Sequence, residues 1–217
     1  MFNHVPTQLS ELTTKTVDSK RFYATPDGKL YPSVTTVMSI LGKEAIIAWR
    51  KRVGDAEANK ISSKAARRGT NMHTVCENYL HNKPIEGVMP DTYALFKSIQ
   101  PYIDKYINNV YAIEAPLYSH TLQVGGRVDC VAEFDGKMAI VDYKTSSRRK
   151  EEGMIQNYFM QCAAYAVMFE ERTGIAVPRI AIIMAVEGDS PLLFVKKRDD
   201  YIDDFISLRK QYAAMHG

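Results

Sequence analysis

Cysteine is scarce in this chain, with three in 217 residues, at Cys76, Cys130 and Cys162. They are widely spaced and form no Cys-x-x-Cys pair, so neither a disulfide framework nor a zinc or iron–sulfur site is indicated. They read as small core residues. No apolar run is long enough to cross a bilayer, and the first residues lack the charged-then-apolar plan of a signal peptide. Glu11 and Asp18 interrupt the acid-poor stretch that a transit peptide would need, so a cytoplasmic protein without a membrane partner is expected. There is no Gly-x-Ser-x-Gly, and Cys76 falls inside a helical pattern with no helix N-terminus to activate it, so no nucleophilic triad is indicated. A strong charge of one sign is missing too. The formal balance of +3 permits a nucleic-acid partner without arguing for one.

What is present suits one domain with a sizeable core, divided into a hairpin-and-helix region over 1–107 and a sheet core over 108–217. Residues 1–20 show no periodicity and predict an irregular lead-in. Pro26-Asp27-Gly28 predicts a hairpin turn, and Ser33 is suited to cap a helix running to Gly42. Glu44 to Val53 predicts a further helix with Trp49 as a core candidate, and Asp55 to about His81 one long helix. That helix carries a basic stripe, Lys60, Lys64 and Arg67 with Arg68 beside it, and a second stripe in which Gly69, His73 and Glu77 share a face. A helix over Asp91 to Ile107, kinked at Pro101, and a strand over Tyr111 to Tyr118 bearing Glu114 come next.

Asp135-Gly136, flanked by apolar residues, is the strongest turn signal in the sequence and predicts a hairpin that returns Asp142 beside Asp129. Alternation puts Asp142 and Lys144 on one face of the second strand and Val141 and Tyr143 on the other. A helix from Met154 to Thr173, with Tyr158, Gln161 and Tyr165 on one side, two strands and a closing helix complete an α/β fold on a mixed sheet. Buried charges at a strand end must be paired or bound to a metal, so an Asp–Lys salt bridge is one explanation of Asp-x-Lys. The other is a hard-oxygen site for Mg²⁺ or Mn²⁺, with a lysine to stabilise phosphoryl-transfer charge or, were its pKa depressed, to accept a proton. A glycosidase would need two carboxylates without the lysine.

Asp129 followed by Asp142-Tyr143-Lys144 resembles the signature of the PD-(D/E)XK nuclease superfamily. Gly69-Thr70-Asn71-Met72-His73, Gly126-Arg127-Val128-Asp129 and Gln161-x-x-x-Tyr165 resemble its RecB-like branch, and Phe22 to Thr35 resembles the lead-in of mitochondrial and phage exonucleases of that branch. The resemblance implies a restriction-endonuclease-like core with a mixed central sheet flanked by helices and an N-terminal helical region. It implies Asp129, Asp142, His73 and the Tyr143 backbone carbonyl as metal ligands, with Glu114 as an auxiliary acid and Glu77 behind them. Lys144 would be catalytic, and Gln161 would position Lys144 or the scissile phosphate with Tyr165 as its partner. The cofactor implied is Mg²⁺, with Mn²⁺ as a substitute, and no iron–sulfur cluster.

The activity implied is a DNA exonuclease preferring single-stranded ends, in degradation, recombination or replication, with replication or recombination proteins as partners. Its location would be the host cytoplasm if the chain is phage-encoded. Lys60, Lys64, Arg67, Arg68, Ser33, Thr35 and Tyr165 are the candidate DNA contacts, and Tyr23, Tyr31 and Trp49 could stack bases. A structure-specific or nicking endonuclease and a non-catalytic nucleic-acid-binding subunit remain open. Val128 stands where many relatives carry proline.

Overall fold

A computed structural model describes residues 1–216 and arranges them around a six-stranded mixed sheet, in the order β1-β5-β6-β7-β8-β9. Its strands are β1 (Asn3–His4), β5 (Ile107–Ser119), β6 (Val124–Phe134), β7 (Lys137–Ser146), β8 (Arg179–Val186) and β9 (Leu192–Lys197). A separate three-stranded sheet holds β2 (Thr13–Val17), β3 (Lys20–Ala24) and β4 (Leu30–Pro32). The helices are α1 (Val34–Met38), α2 (Lys43–Val53), α3 (Asp55–Leu80), α4 (Pro90–Tyr106), α5 (Gln156–Thr173) and α6 (Ile202–His216). None is long and apolar enough to cross a membrane.

The expected mixed sheet between helical layers is the fold observed. Side-chain alternation along β7 builds both layers. Ala139, Val141 and Tyr143 enter the core beneath α3 and α4, while Ile140 enters the core beneath α1, α5 and α6. Asp135 and Gly136 both take positive φ, at 49° and 71°, as a two-residue hairpin turn requires. Strands β7 and β8 run parallel, with α5 as the crossover.

Three local expectations are corrected. Residues 1–20 are not an irregular lead-in: β1 pairs in parallel with β5, and β2 pairs with β3. Both strands are wholly exposed, so neither shows the alternating burial that makes a strand readable. Helix α1 stops at Met38, short of Gly42. Helix α4 contains Pro101 and spans the stretch expected of it. Trp49 is only half-buried, because α2 buries no residue at all.

One topological feature positions the site. The β6–β7 ladder runs from Phe134 opposite Lys137 to Cys130 opposite Val141 and ends there. Beyond that point β6 keeps its pairing with β5, β7 keeps its pairing with β8, and the two strands part. The small sheet lies against the freed half of β6, through a Ser33–Gly125 bridge. Tyr23 packs so tightly on Gly125 that a Cβ there would sit 2.5 Å from the Tyr23 Cβ, which is why this position is glycine.

Candidate active site

The acidic residues gather where β6 and β7 diverge. With its ladder partner gone, the Tyr143 N–H is taken by Asp129 Oδ2 at 3.0 Å, so a side chain continues what the backbone pairing stops. Glu114 falls between the paired residues Ile113–Cys130 and Ala115–Val128, opposite Asp129. Its φ of 44° is unusual for a non-glycine residue in a strand. The Arg127 guanidinium donates to the Glu114 carbonyl. From α3, His73 reaches down with Nε2 2.8 Å from the Tyr143 carbonyl. Its Nδ1 lies 3.4 Å from Asp129 Oδ1 and 3.5 Å from Glu114 Oε1.

Ligand atoms of His73, Glu114 and Asp129 all lie within 4.8 Å of one another. Asp142 stands apart from that trio and is held by Lys144, whose Nζ donates to Oδ1 at 2.8 Å and lies 2.6 Å from Oδ2. Asp142 is 1 % exposed, and the Lys144 ammonium is the cation that compensates its buried charge. A cluster of two carboxylates and an imidazole beside this buried carboxylate fits a hard divalent cation.

The electrostatics agree. Burial disfavours a charged His73, but Asp129 and Glu114 outweigh it and push its pKa up to about 10. In the metal-free protein a proton therefore bridges the acids. Burial raises Asp129, yet the bond to His73 and its charge hold the carboxyl below its usual range. Burial also pushes Asp142 up to about 6 against the pull of Lys144. Burial opposes protonation of Lys144, but Asp142 and Asp129 raise its pKa well above normal. In the metal-free protein this keeps Lys144 an ammonium, which favours the charge-stabilising alternative over the proton-accepting one.

The structure thus brings together His73, Glu114, Asp129, the Tyr143 carbonyl, Asp142 and Lys144. Glu77 and Gly69 line the same cleft beside His73 and Glu114. Gln161 hydrogen-bonds the Tyr165 hydroxyl at 3.3 Å. The ring over Lys144 belongs to Tyr158, 4.9 Å from Nζ. Tyr158 shares a helix face with Gln161, which was the signal available for it. Arg127 stands inside a recognisable motif without one.

Several proposed nucleic-acid contacts are placed otherwise. Tyr165 is core, 3 % exposed and packed against Gly126. Ser33 is buried, and its hydroxyl is spent as the cap of α1 on the Thr36 N–H and hydroxyl. Arg68 pairs with Glu187 at 2.7 Å and donates to Thr145, so its charge holds α3 to the end of the sheet. Lys60 reaches Glu57 at 4.0 Å. Lys64, Arg67 and Thr35 are exposed, the first two without an ion pair among the described residues. Tyr23 and Tyr31 are buried and offer no free ring face.

The sheet forks with acids on both arms and a lysine two residues beyond the second acid. Residues 95–199, just under half of the chain, match the PD-(D/E)XK nuclease superfamily. Among individual proteins, the chain is similar to mitochondrial genome maintenance exonuclease 1 of Homo sapiens, at 28% identity over 178 residues, 74% of this chain and 50% of that protein. The Mus musculus counterpart is 28% identical over 156 residues, 66% of this chain and 45% of that one. The chain spans about half the length of these relatives. A crystal structure from Eubacterium rectale, assigned as an exonuclease, superposes with a TM-score of 0.50 at 15% identity, over 70% of this chain and 65% of that one. That likeness shows the fold. His73 lies outside the matched span and is attached to the site by α3 alone.

Proposed function

We infer that the protein is a Mg²⁺-dependent DNA exonuclease that hydrolyses phosphodiester bonds from single-stranded ends. The observation that carries this reading is the convergence of His73, Glu114 and Asp129 beside a buried Asp142–Lys144 pair at the fork of the sheet. His73, Glu114, Asp129, Asp142 and the Tyr143 carbonyl would hold the ion. A bound divalent cation supplies charge to a phosphoryl oxygen and acidifies a coordinated water.

The chain's own residues do the rest. Lys144, fixed as an ammonium, stabilises charge on a non-bridging oxygen and orients the attacking water. Tyr158 covers its outer side and limits its exposure to solvent. Water attacks phosphorus as the bond to the leaving oxygen breaks; one proton of the water passes to solvent rather than to Lys144, and solvent returns a proton to the leaving oxygen, which departs as a hydroxyl. Lys64 and Arg67 on the open face of α3 attract the phosphate backbone.

Digestion of end-labelled single strands, duplexes with each overhang and a covalently closed circle, side by side with Mg²⁺ and with Mn²⁺, tests the reading. Release of nucleotides from linear single strands, with the circle intact, is expected. Opening of the circle would make the protein an endonuclease, and no cleavage of any substrate at low salt would refute the proposal.

A further inference from the structure

The fork leaves one feature of the molecule without a task. The small sheet does more than fill the space beside β6, because it carries an open polar groove lined by Thr16, Ser19, Lys20, Arg21, Thr35 and Ser39. No acid lines this groove. Lys20 and Arg21 have no carboxylate partner, and the hydroxyls of Thr16 and Ser19 have no hydrogen-bond partner, among the described residues. Two cations and two free hydroxyls with no opposing carboxylate suit an anion with several oxygens.

The groove is also oriented and rigid. Arg21 and Tyr23 are two apart on β3 and so share a face. The Tyr23 ring on that face lies against Gly125 of β6, the strand that reaches Asp129 four residues later. Thr16 is the cross-strand partner of Arg21 and points the same way. The walls are tied together at Arg21, whose N–H donates to the Thr36 hydroxyl at 3.2 Å and whose carbonyl accepts from it at 3.1 Å. The Ser33 N–H donates to that same carbonyl at 2.8 Å. The backbone that carries the anion-binding side chains is therefore fixed, and only the side chains themselves must be ordered by a bound anion.

We propose that this groove is a second phosphate subsite, which grips the backbone of the nucleic-acid strand outside the cleavage centre. The proposal rests on the nuclease reading above and assigns to the small sheet the part of the strand that passes from the fork over β6. Recognition is of the phosphodiester charge, through Lys20 and Arg21, and is independent of base identity.

The test is a salt titration of binding in the absence of metal, so that nothing is cut. Fluorescence anisotropy of labelled thymidine oligonucleotides, short and long, is followed for the wild type, Lys20→Gln/Arg21→Gln, Arg21→Lys and, as a comparison, Lys64→Gln/Arg67→Gln. Each phosphate neutralised contributes about 0.7 to the log–log slope on single strands, so losing two contacts should lower the slope by roughly 1.4. The loss should be largest on the long oligonucleotide, and Arg21→Lys should keep the wild-type slope. Arg21 is exposed, so the unfolding temperature should stay unchanged and report an intact fold.

Competition with inorganic phosphate separates a strand from a free anion. Saturable phosphate binding to the wild type, with an unaltered oligonucleotide slope in the double variant, would make the groove a free-anion site and overturn the proposal. An unaltered slope in the double variant, together with a wild type that cleaves single strands, would sink the groove alone. A wild type that neither binds nor cleaves nucleic acid would sink the nuclease reading and the groove together.

Discussion

Asp142 and Lys144 combine two of the sequence's expectations. The salt bridge and the metal site were alternatives for Asp-x-Lys, yet the Lys144 ammonium pairs with Asp142 at 2.8 Å while His73, Glu114 and Asp129 gather beside them as possible ligands. Asp142→Ala should abolish Mg²⁺-dependent cleavage and leave DNA binding within several-fold; equal loss of both would mean that the acid serves the fold. Lys144→Gln should reduce kcat by roughly 10²- to 10³-fold, the range for removing one donor to developing charge. Tyr158→Leu should cost far less, since an aromatic ring over a cation is worth about 1 kcal/mol, or several-fold in kcat. His73 adds a pH dependence. Its pKa is about 10 in the folded metal-free protein, above the roughly 6.5 of an unfolded histidine. Its stabilisation is therefore fully present below pH 6.5 and is lost as pH rises through 10. Thermal unfolding in EDTA should show that decline, and His73→Asn should flatten it. Because a ligating imidazole must release its proton, Mn²⁺ affinity measured by calorimetry should rise with pH over the same window.

Elements succeed or fail at being legible according to how local their causes are. The β6–β7 hairpin is readable because Asp135-Gly136 dictates its own backbone and the flanking alternation sets the faces. Helix α3 is readable because its face spacing repeats, and His73 and Glu77 do share a cleft. Strands β1 and β2 are not, because their exposed residues carry no burial pattern, and β1 exists only through β5, far along the chain, although β2 pairs with its neighbour β3. Nor is the role of Arg68: within the basic stripe it looks like its neighbours, and only Glu187, over a hundred residues away, claims it. The glycines before Asp129 belong to this scale. An alanine at Gly126 would place Cβ 2.5 Å from the Tyr165 ring. Overpacking of that kind costs roughly 1–3 kcal/mol. Gly126→Ala should lower the unfolding temperature by about 2–4 °C for each kcal/mol in a domain of this size. A Gly126→Ala/Tyr165→Leu pair should recover part of the loss.

For the whole molecule, motif residues widely separated in sequence meet because one strand pair separates while its outer pairings persist. His73 comes from α3, Glu114 from β5, Asp129 from β6, and Asp142 and Lys144 from β7. Helix α3 carries Lys64 and Arg67 in solvent, on a stripe separate from the face of His73, and nucleic-acid binding through them should weaken steeply as salt rises. Doubling the salt should cost more affinity in the wild type than in Lys64→Gln/Arg67→Gln. By itself the sequence determined the residue types of the site, their order and the hairpin that returns Asp142 towards Asp129, because turn chemistry and side-chain alternation act over a few residues. Only the tertiary structure decided that β6 and β7 part after Cys130, that Tyr158 covers Lys144, and that Tyr165, Ser33 and Arg68 are committed to packing, capping and an ion pair. Those outcomes depend on which surfaces remain to be buried and which charges remain to be paired once distant segments have met.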